Sequence, residues 1–183
     1  MNGNTITIKT KVNKKIFRDF AVFDTLIRQK RWRAPLFFAC MMLIFAAVCF
    51  TQTGRIEGAP LLGGVLAGVG ILLPAAYFFS FYSSIQAESR KQKLIVPQHV
   101  YTVTLSACQE GIIMTPAAGK GSRHRIRWEN AHAAYRVKDC IYLFISPRQA
   151  FLLPDGQADV PQDEVWKMIT AMLPGEKCYD RRH

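Results

Sequence analysis

The sequence predicts an α+β membrane protein, a two-helix transmembrane hairpin joined to a small antiparallel sheet or barrel that a C-terminal helix closes. Three observations predict it. Two uncharged apolar stretches, Leu36–Thr51 and Pro60–Tyr82, stand only a few residues apart. Basic residues crowd their outer flanks. Beyond residue 94, short alternating segments separated by turn residues end in one amphipathic segment.

The spans are expected at about 35–53 and 60–82. A helix rises about 1.5 Å per residue and a hydrocarbon core is about 30 Å thick, so about 20 apolar residues are needed. The second stretch has that length; the first has it once Thr51, Gln52 and Thr53 are included. A pair of buried soluble helices is the bland alternative, but such helices carry a polar face and neither stretch has one. Arg28, Lys30, Arg31 and Arg33 precede the first span, and Arg90, Lys91 and Lys93 follow the second. The link Gly54–Ala59 carries one charge of each sign. Lysine and arginine mark the cytoplasmic side, so both termini are expected there. Trp32, Tyr77 and Tyr82 suit interface belts. Pro60 fits a first helical turn, whereas Pro74 falls mid-helix and should kink it. Gly64 and Gly68 form a small-xxx-small pair that lets helix backbones approach. It serves either packing on the first span, at Ala39, Ala46 or Ala47, or homodimerisation. Neither span holds an ionisable Asp, Glu, Lys, Arg or His, which argues against a coupled transporter.

Net charge is +11, from 24 Lys and Arg against 13 Asp and Glu. The distribution is that of a membrane flank, not of a nucleic-acid surface. Nine of the basic residues lie in the first 35 positions, where anionic headgroups attract each by about 1 kcal/mol. Cys40, Cys49, Cys108, Cys140 and Cys178 form no Cys-x-x-Cys pair, so disulfides and metal ligation have no supporting spacing. No cofactor is expected.

Thr5–Val12 alternates as a half-buried strand. Asn13 then caps a helix whose Ile16, Phe20, Phe23 and Ile27 share one face. That face suits either the membrane interface or the cytoplasmic domain. Residues 1–33 thus form an N-terminal strand and amphipathic helix, 34–83 the hairpin, and 94–183 a cytoplasmic domain. In that domain strands are expected at Val100–Cys108, Ile112–Thr115, Ser122–Trp128, Ala134–Lys138, Cys140–Ser146 and Gln149–Leu153. Cys140–Ser146 is apolar on both faces and should be central. Pro161 opens a helix with Val165, Trp166, Ile169, Met172 and Leu173 inward, and Pro174-Gly175 ends it. Cys178–His183 reads as a loose tail. With both termini on one side, Thr5–Val12 can pair with the C-terminal sheet.

Gly111-Ile112-Ile113, Ile126-Arg127-Trp128-Glu129-Asn130, Lys138-Asp139-Cys140-Ile141-Tyr142-Leu143-Phe144-Ile145 and Gln149-Ala150-Phe151-Leu152-Leu153-Pro154 occur in that order before the final helix. This arrangement resembles the YcxB-like family, bacterial two-span membrane proteins with a C-terminal pleckstrin-homology-like domain. The likeness runs along nearly the whole chain. It departs after Pro154, where Asp155-Gly156 stands instead of a basic residue. It implies a pleckstrin-homology-like sheet or barrel at the bacterial inner membrane, and no mechanism.

Catalytic motifs fail on inspection. Gly119-Lys120-Gly121-Ser122 lacks the first glycine and the following helix of a phosphate loop. His99, His124, His132 and His183 are scattered without zinc or protease spacing. Arg123, Arg125 and Arg127 project from one face of a strand, opposite His124, Ile126 and Trp128, with Lys120 in the adjoining loop. Guanidinium groups in a row suit phosphates. Their plain alternative is a solvated face paired to Glu110 or Asp139. Lys120, Arg123, Arg125 and Arg127 are therefore the candidate contacts for anionic lipid or an acidic partner. The expected function is a membrane-anchored cytoplasmic binding module without catalysis. The alternatives are a structural subunit of a larger membrane assembly, joined through Gly64 and Gly68, and a membrane-bound enzyme.

Overall fold

The structure is a computed structural model that describes residues 5–52, 57–91, 98–107, 111–117 and 123–182. The chain divides into two compact units, one of residues 1–20 and 94–183, the other of residues 21–93. The first is an α+β unit of two sheets. The second holds two long apolar helices.

Alternation builds the first sheet. In β1 (Thr5–Val12), Ile6, Ile8, Thr10 and Val12 are buried, while Thr5, Lys9 and Lys11 face solvent. β1 pairs antiparallel with β2 (Gln98–Ser106), with Ile8 opposite Val103 and Ile6 opposite Leu105. So the N-terminal strand does reach across the intervening hairpin residues to join the later sheet. β2 pairs with β3 (Ile112–Pro116), and β3 with β4 (His124–Ile126). Gly111 makes the turn into β3 possible. Its φ is +70°, and a Cβ there would lie 2.4 Å from the Ile126 carbonyl oxygen. Only glycine tolerates both the left-handed backbone and that approach.

The second sheet runs β7-β6-β5-β8. β5 (Ala133–Val137) and β6 (Cys140–Phe144) form the expected hairpin around Lys138-Asp139, and β7 (Ala150–Pro154) follows. All five residues of β6 are buried, as its two apolar faces require. Ile141 and Leu143 enter the shared core with Ile8, Val103, Leu105, Ile112 and Leu153. On the opposite face, α1 (Lys14–Val22) sets Phe20 against Tyr142 and Phe144, with ring centroids 5.2 and 6.1 Å apart. Of the two surfaces that suited α1, Phe20 is thus applied to the sheet. Asn13 caps the helix as expected, its Oδ1 accepting from the Ile16 N–H at 2.8 Å. From Phe23 to Arg28 the helix continues as π turns, not as the α-helical face expected through Ile27.

β1 also joins the two sheets. Beyond its pairing with β2, its other edge meets the segment after β7. The Lys9 N–H donates to Gln157 O at 3.2 Å, and the Asp159 N–H to Thr7 O at 3.2 Å. Buried Thr10 donates from Oγ1 to Leu152 O at 3.0 Å, and Leu152 N–H donates to Tyr101 Oη at 2.8 Å. Side chains thereby satisfy β7 where no further strand among the described residues pairs with it, and Pro154 has no donor to offer. α4 (Gln162–Met172) covers the core with Val165, Met168 and Ile169. Trp166 and Met172 are only half-buried, so the inward face is rotated toward Met168.

Two expectations are corrected. The strand foreseen over Ser122–Trp128 is described only as His124–Ile126, and Trp128–Asn130 is a 3-10 turn. Trp128 turns inward there and donates Nε1–H to Ser106 O at 2.8 Å. The tail foreseen as loose contains β8 (Cys178–Asp180), parallel to β5. Tyr179 stacks on Tyr135 at 4.8 Å, and Arg181 N–H donates to Arg136 O at 2.7 Å.

In the second unit, α2 (Arg33–Thr51) and α3 (Ala59–Lys91) are each long and apolar enough to cross a membrane. α3 extends past the expected end at Tyr82 because Ser83–Lys91 contains no breaker. Phe37, Leu61 and Phe79 are 74, 75 and 78 % exposed, so the outer surface of the pair is apolar. The glycines that meet α2 are Gly63, against Phe50 and Ala46, and Gly70, against Met42 and Ala39. Gly64 and Gly68, expected either to pack on the first span or to serve a dimer, do not pack on it. A Cβ at either would meet nothing within 4 Å. With 3.6 residues per turn, these two lie on a different face from Gly63 and Gly70.

Candidate functional site: a basic groove beside β4

β4 fixes the arginines by its register. Ile126 sits opposite core Ile112 and packs inward, so Arg125, one residue earlier and opposite Ile113, points to the other face. Arg123, Arg125 and Arg127 are all exposed. Arg123 and Arg127 make no ion pair with any described residue. Asp139, a possible counter-charge, bonds Lys15 instead, at 3.4 Å. Lys120, Glu110, Cys108, His183 and the Gly119–Ser122 loop lie outside the described residues.

Next to the strand lies a groove of about 740 Å³. The basic residues along it are Arg125, Arg148 and His124, and the apolar ones include Phe20, Met114, Ile145 and Phe151. No acidic residue is among the described residues that line it. The size falls within the range of ordinary ligand sites, about 300–1,000 Å³. Arg148 escaped the sequence reading, and Phe20 was read only as part of the apolar face of its helix. They lie far from β4 in the chain, and only the packing of α1 and of the β6–β7 connection brings them together. The one available signal was that Arg148 directly precedes the Gln-Ala-Phe-Leu-Leu-Pro segment.

A second cluster is structural. Arg136 is buried, and its guanidinium donates to Asp163 at the start of α4. Arg136 Nε has no hydrogen-bond partner among the described residues. Arg182 bonds Asp180 at 2.8 Å and approaches Asp163 at 3.8 Å. The Arg136 hydrogen bond and charge hold the Asp163 carboxyl below its usual range, and Arg182 does the same to Asp180. These contacts tie β8, β5 and α4 together.

Burial pushes the Cys140 thiol up to about 12, which suppresses the nucleophilic thiolate. Burial likewise raises Tyr101 and Tyr142 well above the ordinary tyrosine value. No group of three or more His, Cys, Asp or Glu side chains able to hold a metal ion occurs among the described residues. Comparison with protein-family models, with curated proteins and with solved structures finds no match to this chain in any of the three.

Proposed function

We propose that the chain is a membrane-anchored binding module without catalysis, of the YcxB-like kind. Its hairpin crosses the bacterial inner membrane and holds a pleckstrin-homology-like unit on the cytoplasmic side. That unit meets anionic lipid headgroups or an acidic protein partner through Arg123, Arg125 and Arg127, with Lys120 beside them. One observation carries the reading. β1 precedes the apolar hairpin, β2 follows it, and the two strands pair from Thr5 opposite Ser106 to Val12 opposite Gln98, with one bulge at Val100. A hairpin that crosses a bilayer between two paired strands must return its ends to one side. The basic flanks assign that side to the cytoplasm. Two four-stranded sheets with a helix over their common core support the pleckstrin-homology-like plan.

The test uses the full chain in nanodiscs of zwitterionic lipid, mixed with vesicles containing anionic lipid. Vesicles should be captured at low salt and released at high salt. Changing Arg123, Arg125 and Arg127 to Ala should weaken capture about a hundredfold, at about 1 kcal/mol per charge. Capture that ignores both salt and the triple change overturns lipid contact. A structural subunit is the second reading, and the open face at Gly64 and Gly68 favours it. In that case Gly64→Leu would break a detergent-stable assembly and leave vesicle capture intact.

A further inference from the structure

We propose that residues 155–159 form a strap that closes the outer edge of β1, and that the Gln157 side chain is its lock. The backbone of the strap covers only part of that edge. Ile8 bridges to Ala158 in antiparallel sense. The Asp159 N–H donates to Thr7 O and the Lys9 N–H to Gln157 O, both at 3.2 Å. One step further along β1 the strap's chain leaves the edge. Gly156 takes a φ of +70°, a left-handed turn that suits glycine, and its N–H turns back to Asp155 Oδ1 at 2.9 Å. The Asp155 N–H donates to Asp139 O at 3.0 Å, in the turn between β5 and β6. The strap's backbone therefore does not reach Lys11, whose N–H and C=O both need partners on that side.

The Gln157 side chain supplies both. Its Oε1 accepts from the Lys11 N–H at 2.6 Å, and its Nε2 donates to Lys11 O at 3.1 Å. A primary amide carries the same donor and acceptor as a strand residue, so the side chain extends the ladder by one pair beyond the point where the backbone departs. Leucine offers neither group, and an ionised glutamate offers the acceptor alone. The lock sits at the exposed end of the strand, where Lys9 and Lys11 face solvent. β1 is rich in β-branched side chains, and an open edge on such a strand is a template for another chain. Gln157 is thus a positioning residue: it acts through the Lys11 backbone and holds the last turn of the strap against β1.

The test is amide hydrogen exchange, followed by NMR, on the full chain in detergent micelles. In Gln157→Leu the Lys11 amide should lose protection about tenfold or more, because its hydrogen bond is lost to water. Gln157→Glu should keep most of that protection, since a carboxylate accepts from the same N–H. Ile8 and Thr10, whose backbone groups alternate toward β2, should exchange as before in both variants, as should Ile141 and Leu143 in β6. In the unaltered chain the Gln157 side-chain amide should itself exchange slowly, because Lys11 O holds one of its protons. Unchanged Lys11 protection in Gln157→Leu would overturn the proposal. So would a loss in Gln157→Glu as large as in Gln157→Leu, which would make the side chain's bulk and not its acceptor the active feature. A loss spread evenly over Lys11, Thr10 and β6 would also overturn it, since Gln157 would then support the whole unit and not lock one edge.

Discussion

Replacing Ile8 by alanine should destabilise the β unit more than any change on the solvent face of the same strand. Ile8 is fully buried, opposite Val103 on one side and bridged to Ala158 on the other. It also lines a gap of about 10 Å³ with Ile141, Leu153 and Val165, too small for more than one water. The atoms removed therefore leave a void that neighbours from two sheets and α4 close only in part. Such truncations cost about 2–5 kcal/mol, and a site clamped from three elements belongs near the middle, about 3 kcal/mol. With a urea slope of about 1–3 kcal/mol/M, the midpoint should fall by about 1–3 M. The assay is urea unfolding of the full chain in detergent, followed by Trp128 and Trp166 emission in a Trp32→Phe background. Urea leaves apolar helices in the micelle, so the signal isolates the β unit. Lys9→Ala, exposed on the same strand, should stay within about 0.5 kcal/mol. Equal effects of the two changes would refute the claim that a residue before the hairpin belongs to the core of the domain after it.

Alkaline pH should weaken the same unit. Below pH 9.0 the Cys140 thiol is protonated whether folded or not; above it the unfolded chain ionises first, while the folded thiol waits until about 12. Stability should therefore fall from pH 9 upward, with partly buried Tyr101 and buried Tyr142 adding to the decline above 10; urea midpoints of Cys140→Ala should lack the first part. On the acid side, Asp163 and Asp180 are held below their ordinary value of 3.8, so the support they give is present above that pH and lost as pH falls below it. Proton titration by NMR should show that loss reduced in Asp163→Asn. Thr10→Val should cost about 1–3 kcal/mol in urea unfolding, because it keeps the shape and leaves the Leu152 carbonyl without its donor. In the hairpin, Gly63→Leu and Gly70→Leu should lower the dodecyl sulfate concentration at which energy transfer between labelled helix ends is lost, and Gly64→Leu should not.

Features written in local period were legible. The alternation of Thr5–Val12, the Asn13 cap, the two-faced apolar strand Cys140–Phe144 and the two apolar helices all follow from spacing alone. What failed was decided by partners distant in sequence. Nothing in Cys178-Tyr179-Asp180 marks a strand; Tyr135, 44 positions earlier, supplies the stacking ring, and the β5 edge supplies the hydrogen bonds. Trp128 continued the alternation of its strand on paper, yet the Ser106 carbonyl draws its indole inward and the backbone turns. The glycines that meet the first span, Gly63 and Gly70, escaped the sequence reading for a geometric reason. Gly64 and Gly68 satisfy the four-residue rule, but so does any pair on any face, and the contact face was selected by Phe50 and Met42 on the other helix. The arginine row was readable because it is local. The groove was not, because Arg148 and Phe20 belong to segments distant from β4 and from each other in the chain.

The interleaving of strand and hairpin also orders how the molecule can be made. β1 is synthesised before the hairpin, but the partners described for it (β2, Leu152, Gln157, Asp159) lie beyond α3. Until those residues emerge, Ile6, Ile8 and Val12 have no core to enter, and an unpaired apolar strand is an aggregation hazard. Lys9 and Lys11 on its opposite face, with Lys14, Lys15 and Arg18 just behind, are suited to hold it soluble in that interval. The pairing of β1 with β2 then closes a loop that contains both apolar helices. A chain in which only one of them entered the bilayer would separate the two strands across it, and no folded unit could form. On the anchored reading proposed above, folding of the β unit requires that α2 and α3 be inserted together or not at all.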